Sequence, residues 1–186
     1  MGTKPVRSID ATRDAGVARV DMKVEVIVIP VSDVDRAKEF YRKLGWRLDA
    51  DFSIGDNLRV IQFTPPSSGC SVHFGTNVTS AAPGSGKGYL TVSDIEAARN
   101  ELVAAGFKVG EIFHIGPTGP ESGPDPEHGT YRSRAEFSDP DGNVWLLQEI
   151  TSRLPGRVDA GATSFGSAND LASAFRRAAA AHGQHE

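Results

Sequence analysis

Three side chains in this sequence are suited to holding or acting on a small molecule, and each lies in a segment with strand character. His73 can donate or accept a proton near neutral pH. Lys87 can attract a carboxylate or a phenolate, and Tyr89 offers a flat ring and a hydroxyl. Each also has a structural interpretation: His73 as a satisfied core or edge histidine, Lys87 as a stem reaching solvent, and Tyr89 as core packing. The elements that position them decide between these interpretations.

These residues belong to a pattern that occurs twice in the chain. Val31–Ala37, with the sequence VSDVDRA, reappears 61 positions later (92 minus 31) as Val92–Ala98, with the sequence VSDIEAA. Each copy runs on to a glycine followed by an aromatic residue, and Gly45 and Gly106 are also 61 positions apart (106 minus 45). A repeat that keeps its spacing through a helix and its stop signal predicts two similar modules, and two copies are too few for a solenoid.

Each copy is predicted to form a strand, a helix and three further strands. The hydroxyl of Ser32, with Asp35 at the capping-box position, is expected to begin the first helix, and Ser93 with Glu96 the second. The helices are predicted to end at the two glycines. The predicted strands cover residues 24–31, 46–52, 58–63, 70–74, 87–92, 107–113, 131–137 and 143–150. Residues 115–130 form a longer insertion that is predicted to be a lid or rim.

Length, charge and cysteine content limit the remaining possibilities. The 186 residues predict a flexible arm over 1–21, modules over 22–81 and 82–152, and a C-terminal extension over 153–186 with a short helix. The formal charge of −4 offers no basic surface for nucleic acid or an anionic membrane. The lone Cys70 cannot form an internal disulfide, and no stretch could span a bilayer, so a cytoplasmic protein is expected. His182 and His185 are expected to lie in a frayed polar end, not a metal site.

The motifs resemble those of the vicinal oxygen chelate superfamily, which includes glyoxalase I, extradiol dioxygenases, fosfomycin-resistance enzymes and bleomycin-resistance proteins. The likeness rests on the two V-S-D segments, on Phe40-Tyr41 and Leu44-Gly45, and on the late turn Phe137–Asn143, FSDPDGN. It implies an α+β fold in which two βαβββ modules in tandem curl their mixed sheets into a cup-shaped cavity. A small-molecule ligand in that cup, and a homodimer, are the expected partners.

The resemblance also implies where a metal would bind. In the metal-using members four side chains in the cup hold one divalent cation, and motif spacing places these positions at Val26, His73, Lys87 and Leu146. Only the histidine is a good ligand, because the lysine ammonium has no lone pair and the aliphatic side chains have no donor. We therefore predict no metal and no other cofactor. A one-residue slip would expose Glu25 and Glu149 instead, but it would also turn apolar side chains outward.

The residues predicted to contact the ligand are His73, Lys87, Tyr89, Gln148, Val26 and Leu146. The predicted function is metal-independent binding of an aromatic or amphipathic small molecule. The alternative is an enzyme: a glyoxalase-like lyase or isomerase or a dioxygenase with a non-standard metal site, or a metal-free enzyme using His73 and Lys87. A structural or regulatory role is a third hypothesis. The sequence leaves open whether any reaction is catalysed, and whether the cup forms within one chain or between two.

Other conspicuous side chains receive structural interpretations. Trp46 and Trp145 are predicted to pack under the helices. His114 is expected to be solvated, as is His128. Arg134 and Glu136 are expected to form a surface pair or to support the last turn.

Overall fold

The computed structural model describes residues 23–116 and 118–152, and residues 23–151 form one compact unit. The predicted N-terminal arm, the C-terminal extension and its helix lie outside the described residues. The predicted α+β class is confirmed. Along the chain the elements are β1 Val26–Val28, α1 Val34–Lys43, β2 Arg47–Ile54, β3 Leu58–Thr64, β4 Ser71–Thr76, β5 Lys87–Val92, α2 Ile95–Ala104, β6 Phe113–Gly116, β7 Gly119–Ser122, β8 Ser133–Ser138 and β9 Val144–Glu149.

The strands form two mixed sheets, one from each copy of the repeat. Sheet 1 has the order β1-β4-β3-β2, and sheet 2 has the order β5-β9-β8-β6-β7. In each sheet the first strand pairs in parallel with the last strand of its module, and the other pairs are antiparallel. The two sheets therefore repeat the same topology, with one extra strand in the second.

Both helices begin one residue later than the predicted cap. The side chain of Asp33 accepts a hydrogen bond from the N–H of Arg36 (3.0 Å), and Asp94 accepts one from Ala97 (2.9 Å). The prediction of serine caps was wrong, because serine and aspartate stand side by side and the hydroxyl of Ser32 is used elsewhere. The predicted stops are confirmed, since the left-handed backbone at Gly45 and Gly106 follows the last helical turn.

The second module departs from the prediction after its helix. Residues 107–113 were predicted to be a strand, but only Val109 makes a bridge, to Phe137, and β6 begins at Phe113. Phe107 is buried, and Val109 and Ile112 pack against the core. The apolar pattern therefore reports burial of this segment, not a hydrogen-bonded ladder. The insertion at 115–130 contains the end of β6 and all of β7, which pair as a hairpin, and its role as a lid or rim stays a prediction.

One hydrophobic core joins the helix-covered faces of both sheets. Tyr41 of α1 is fully buried and lies 5.0 Å from Trp46 and 6.3 Å from Trp145 between ring centroids. Its hydroxyl donates to Asp139 (2.9 Å) and accepts from the indole N–H of Trp145 (3.1 Å). Burial and the neighbouring Asp139 raise the pKa of the Tyr41 hydroxyl above its ordinary value. Helix α1 therefore packs against both sheets, and both tryptophans lie in the core as predicted.

The turn between β8 and β9 fastens the two modules together. Asn143 is buried and donates to the carbonyl of Pro30 (2.8 Å), while its side-chain oxygen accepts from the N–H of Gly86 (2.8 Å). Asp141 accepts from the backbone N–H and the hydroxyl of Ser32. The motif Asp-Pro-Asp-Gly-Asn thus ties the end of β1 to the start of β5.

Among the described helices, none is long and apolar enough to cross a membrane.

Candidate ligand-binding site

Each sheet has one face turned away from the helices, which we call its open face. On β9, Trp145 and Leu147 enter the core, so the alternating Leu146 and Gln148 lie on the open face of sheet 2. Register extends this face to three rows of paired residues: Lys87, Val144 and Ser138; Tyr89, Leu146 and Glu136; Thr91, Gln148 and Arg134. The same reasoning gives the open face of sheet 1, whose members include Val26, Val28, Phe52, Ile54, Val60, Gln62, Thr64, Ser71 and His73.

The polar side chains on the open face of sheet 1 form a continuous hydrogen-bonded chain. His73 Nε2 lies 2.6 Å from Gln62 Oε1, which as a carbonyl oxygen accepts the ring proton. The amide nitrogen of Gln62 donates to Ser71 (3.1 Å), whose hydroxyl lies 2.7 Å from that of Thr64. Thr64 donates to Asp49. In this chain the imidazole donates through Nε2.

The acidic end of this chain carries a stabilised negative charge. Arg47 donates to Asp49 at 2.5 Å, and this contact together with the Thr64 hydrogen bond holds the pKa of Asp49 below its usual range. Asp49 therefore acts as an acceptor for the chain at neutral pH. On the open face of sheet 1, the polar side chains from His73 to Asp49 are therefore bonded to one another.

The open face of sheet 2 is organised differently. Lys87 makes a loose ion pair with Glu136 (3.5 Å), and about half of each side chain is exposed. Gln148 and Arg134 both donate to the carbonyl of Tyr131, at 3.0 and 3.4 Å. Tyr89 is 61 % exposed above the buried Leu146. This face combines an exposed aromatic ring, an apolar floor and cationic side chains.

The structure does not bring the six predicted ligand-contacting residues together in one chain. Val26 and His73 lie on sheet 1, and the other four lie on sheet 2. The backs of both sheets share one core, so the two open faces point away from each other. The register does support the predicted equivalence of the copies. Val26 pairs with Ser71, two residues before His73, and Lys87 pairs with Val144, two residues before Leu146. That these six residues touch a ligand stays a prediction.

Sequence reasoning missed several residues of these faces. Gln62, the partner of His73, is visible only once the pairing of β3 with β4 is known. Phe52 and Ile54 are 48 % and 60 % exposed on sheet 1. Arg134 was interpreted as part of a surface pair or as turn support, whereas its register places it on the open face. The surface pair expected between Glu136 and Arg134 does not form, because Glu136 pairs with Lys87 instead.

His114 differs from its predicted solvated state. It is 8 % exposed, pairs with Ser133 in register and lies 3.0 Å through Nδ1 from the carbonyl of Gly123. Through this contact His114 joins β6 to the residue that follows β7. The apolar residues that surround His114 in the sequence carried the signal for its burial.

The four positions implied for a metal do not fit one. Val26 and Leu146 have no donor atoms, Lys87 is paired with Glu136, and His73 already uses Nε2 in a hydrogen bond. Among residues 23–116 and 118–152, no three histidine, cysteine or acidic side chains cluster as metal ligands would.

The tandem pair of βαβββ-type modules, each with one open sheet face, defines the class of fold. The family model of the Glyoxalase/Bleomycin resistance protein/Dioxygenase superfamily matches residues 23–147. The chain belongs to this superfamily. No curated protein matches it.

Three solved structures illustrate the relationship. TnmS3, described as an antibiotic binding protein from Streptomyces sp. CB03234, is 32 % identical with a TM-score of 0.54, covering 70 % of this chain and 97 % of that one. A glyoxalase/bleomycin resistance protein from the same organism is 32 % identical with a TM-score of 0.51, covering 68 % and 100 %. A superfamily member from Sphaerobacter thermophilus DSM 20745 is 28 % identical with a TM-score of 0.53, covering 69 % and 98 %.

Proposed function

We propose that this protein is a cytoplasmic homodimer that binds an aromatic or amphipathic small molecule without a metal. The cup lies between sheet 1 of one subunit and sheet 2 of the other. One observation carries the proposal: both open faces expose apolar side chains while their backs are committed to a shared core. A face of this kind in one chain needs a second surface to enclose a ligand.

Symmetry supports the dimer. A two-fold axis that places sheet 1 of one copy opposite sheet 2 of the other creates the same contact twice, and so forms two equivalent cups. Val28, Phe52 and Ile54 on sheet 1 would then face Tyr89 on the second copy's sheet 2, and all four are substantially exposed in the single chain. Pairing removes this apolar area from water.

The donor chemistry supports metal-independent binding. Of the four positions that hold a cation in metal-using relatives, three offer no usable lone pair here, and the fourth is hydrogen-bonded to Gln62. A divalent cation would gain too little from one imidazole to leave water. Metal analysis of protein purified without chelator is expected to find less than one equivalent, and a stoichiometric transition metal would overturn this part of the proposal.

The ligand class is proposed from the lining and from the relatives. Tyr89 provides an exposed ring for stacking, and Leu146 provides an apolar floor. The relative TnmS3, at 32 % identity, is described as an antibiotic binding protein. A polycyclic aromatic antibiotic therefore suits the proposed cup better than a small polar metabolite does.

The experiment that tests the proposal combines ligand binding with subunit mixing. Thermal shifts and fluorescence titrations with bleomycin and doxorubicin are expected to show binding of at least one compound by the wild-type protein. His73→Ala and Tyr89→Ala are each expected to weaken that binding. Ligands selective for the folded state raise its melting temperature, so a panel with no shift would contradict the proposal.

Co-expression of the two variants then locates the cup. If the cup lies between subunits, a heterodimer of His73→Ala and Tyr89→Ala carries one doubly altered cup and one intact cup. In the purified heterodimer about half of the high-affinity sites should then return, as the symmetry of a two-fold dimer requires. A cup within each chain would leave every site altered, and no site would return. Sedimentation of the wild-type protein as a monomer would equally contradict the proposal.

A further inference from the structure

We infer that Arg134 is the anion-recognising residue of the cup, so that the ligand carries a negatively charged oxygen group such as a carboxylate. This inference rests on the proposed function and adds to it the charge of the ligand. It also assigns the attraction of an anionic ligand, which the sequence analysis gave to Lys87, to Arg134.

Register fixes the place of Arg134. It pairs with Gln148 on β9, and Gln148 pairs with Thr91 on β5, so the three side chains form one row across the open face of sheet 2. The neighbouring row holds Tyr89 and Leu146. A charged group of the ligand at Arg134 would therefore lie beside the ring and the apolar floor that hold its aromatic part.

The environment of Arg134 is unusual for a half-buried cation. No carboxylate of the described residues lies within ion-pair distance of its guanidinium, and Nε is buried with no hydrogen-bond partner among them. The group makes one hydrogen bond, from Nη2 to the carbonyl of Tyr131 (3.4 Å). Because this guanidinium has no carboxylate partner within the described part of the chain, an anion that accepts from its Nη groups on the open face would bind there.

Lys87 provides the contrast within the same face. Its ammonium has a carboxylate at 3.5 Å, Glu136, and its side chain is 55 % exposed. Water and Glu136 therefore screen much of its attraction for a ligand. The guanidinium also presents a planar set of donors that matches a carboxylate, whereas an ammonium acts as a point charge.

The test uses two fluorescent probes that differ only in charge, anthracene-2-carboxylate and anthracene-2-carboxamide, with the full-length protein. The wild-type protein is expected to bind the carboxylate more tightly. Arg134→Gln should weaken carboxylate binding about tenfold or more, as loss of a hydrogen bond to a charged group does, and change carboxamide binding less than about threefold. Lys87→Gln should weaken carboxylate binding less than Arg134→Gln does.

Two further variants complete the design. Arg99→Gln removes the same charge from the same module, but from helix α2, where Arg99 pairs with Glu111 (2.7 Å), and should leave both probes unaffected. Arg134→Lys keeps the charge without the planar fork and should show an intermediate loss, which also provides a result if Arg134→Gln does not fold.

Several outcomes would overturn the inference. They are equal affinity of the wild-type protein for the two probes, equal loss of both probes in Arg134→Gln, a larger effect of Lys87→Gln, or binding of neither probe. The proposed function is judged separately, by the antibiotic panel and the heterodimer. If the protein binds doxorubicin, if sites return in the heterodimer and if the carboxylate probe is not preferred, the proposed function stands and the anion site is refuted.

Discussion

The two copies of the repeat share the same local signals, but their helices contribute differently to the hydrophobic core. Both have an aspartate cap and a glycine stop, yet helix α1 buries Ala37 and Tyr41 completely, whereas α2 buries only Ile95. Tyr41 contacts aromatic residues of both sheets. Its counterpart 61 positions later, Leu102, is only partly buried. The duplicated sequence therefore determines where each helix begins and ends. The packing of the two modules against each other determines how deeply each helix is buried.

The turns before the last strand of each module differ in the same way. Asp-Pro-Asp-Gly-Asn in the second copy has Gly142 at φ 97° and a buried asparagine that bridges to Pro30 and Gly86. The matching glycine of the first copy, Gly69, is not among the residues with positive φ. One turn fastens the modules, and the other only reverses the chain.

The largest expected effect comes from removing the shared aromatic residue. Tyr41→Ala should reduce the free energy of unfolding by about 4 kcal/mol or more, because it opens a cavity, leaves Trp145 Nε1 without its partner and removes one of the hydrogen bonds to Asp139. Leu102→Ala, the matched change in the second copy, should cost about 2 kcal/mol at a half-buried position. Urea unfolding measures both.

An equal decrease in the free energy of unfolding for these two variants would contradict the unequal contribution of the two helices to the core. If Tyr41→Ala does not fold, Tyr41→Phe keeps the volume and removes only the hydroxyl. It should still lower the free energy of unfolding by about 1–3 kcal/mol, because two buried polar groups lose a partner.

The turn gives the next largest contrast. Asn143→Ala should cost about 2–4 kcal/mol, because it leaves the half-buried Gly86 N–H and the buried Pro30 carbonyl without the asparagine amide. Cys70→Ala is the matched change in the first copy, where the thiol makes only a weak 3.6 Å contact to the carbonyl of Ser71, and should cost less than about 1 kcal/mol. A similar cost for both would show that the second turn does not fasten the modules.

Local signals explain why so much of the fold could be predicted. The strand Lys87–Val92, both helices and their glycine stops follow from short-range pattern and backbone conformation. The cap was misplaced by one residue because Ser32 bonds to Asp141, which is 109 positions away. The strand expected at 107–113 failed for a related reason, since Val109 and Ile112 pack on the core while only a single bridge forms before β6.

The site was predictable only in part. Alternation along the strands places Val26, Lys87, Tyr89, Leu146 and Gln148 on open faces once the register is known. Which faces turn inward depends on how the modules dock, and the same strand patterns fit a cup within one chain or between two. The partners of Lys87 and Arg134 likewise depend on tertiary neighbours that no local pattern specifies.

The smallest expected effect is a pH-dependent contribution to stability that only the first copy makes at this position. Asp51 accepts hydrogen bonds from Arg59 (2.9 Å) and Lys38 (2.7 Å), and these contacts hold its pKa well below its usual range. The second copy has the apolar Ile112 at the position 61 residues later. Because the folded-state pKa is lowered, the stabilisation is complete above the unfolded-state value near 4 and is lost as the pH falls toward the folded-state value.

Asp51→Asn should therefore lower the free energy of unfolding by about 1 kcal/mol or less at pH 7, as expected for a partly exposed ion pair. The difference from the wild type should shrink in urea unfolding at pH 3. Glu39→Gln, which breaks the exposed pair with Arg42 on the same helix, serves as the control and should change stability little at either pH. A pH-independent cost of Asp51→Asn would mean that the side chain acts through packing and not through its charge, and the electrostatic contrast between the copies would then be lost.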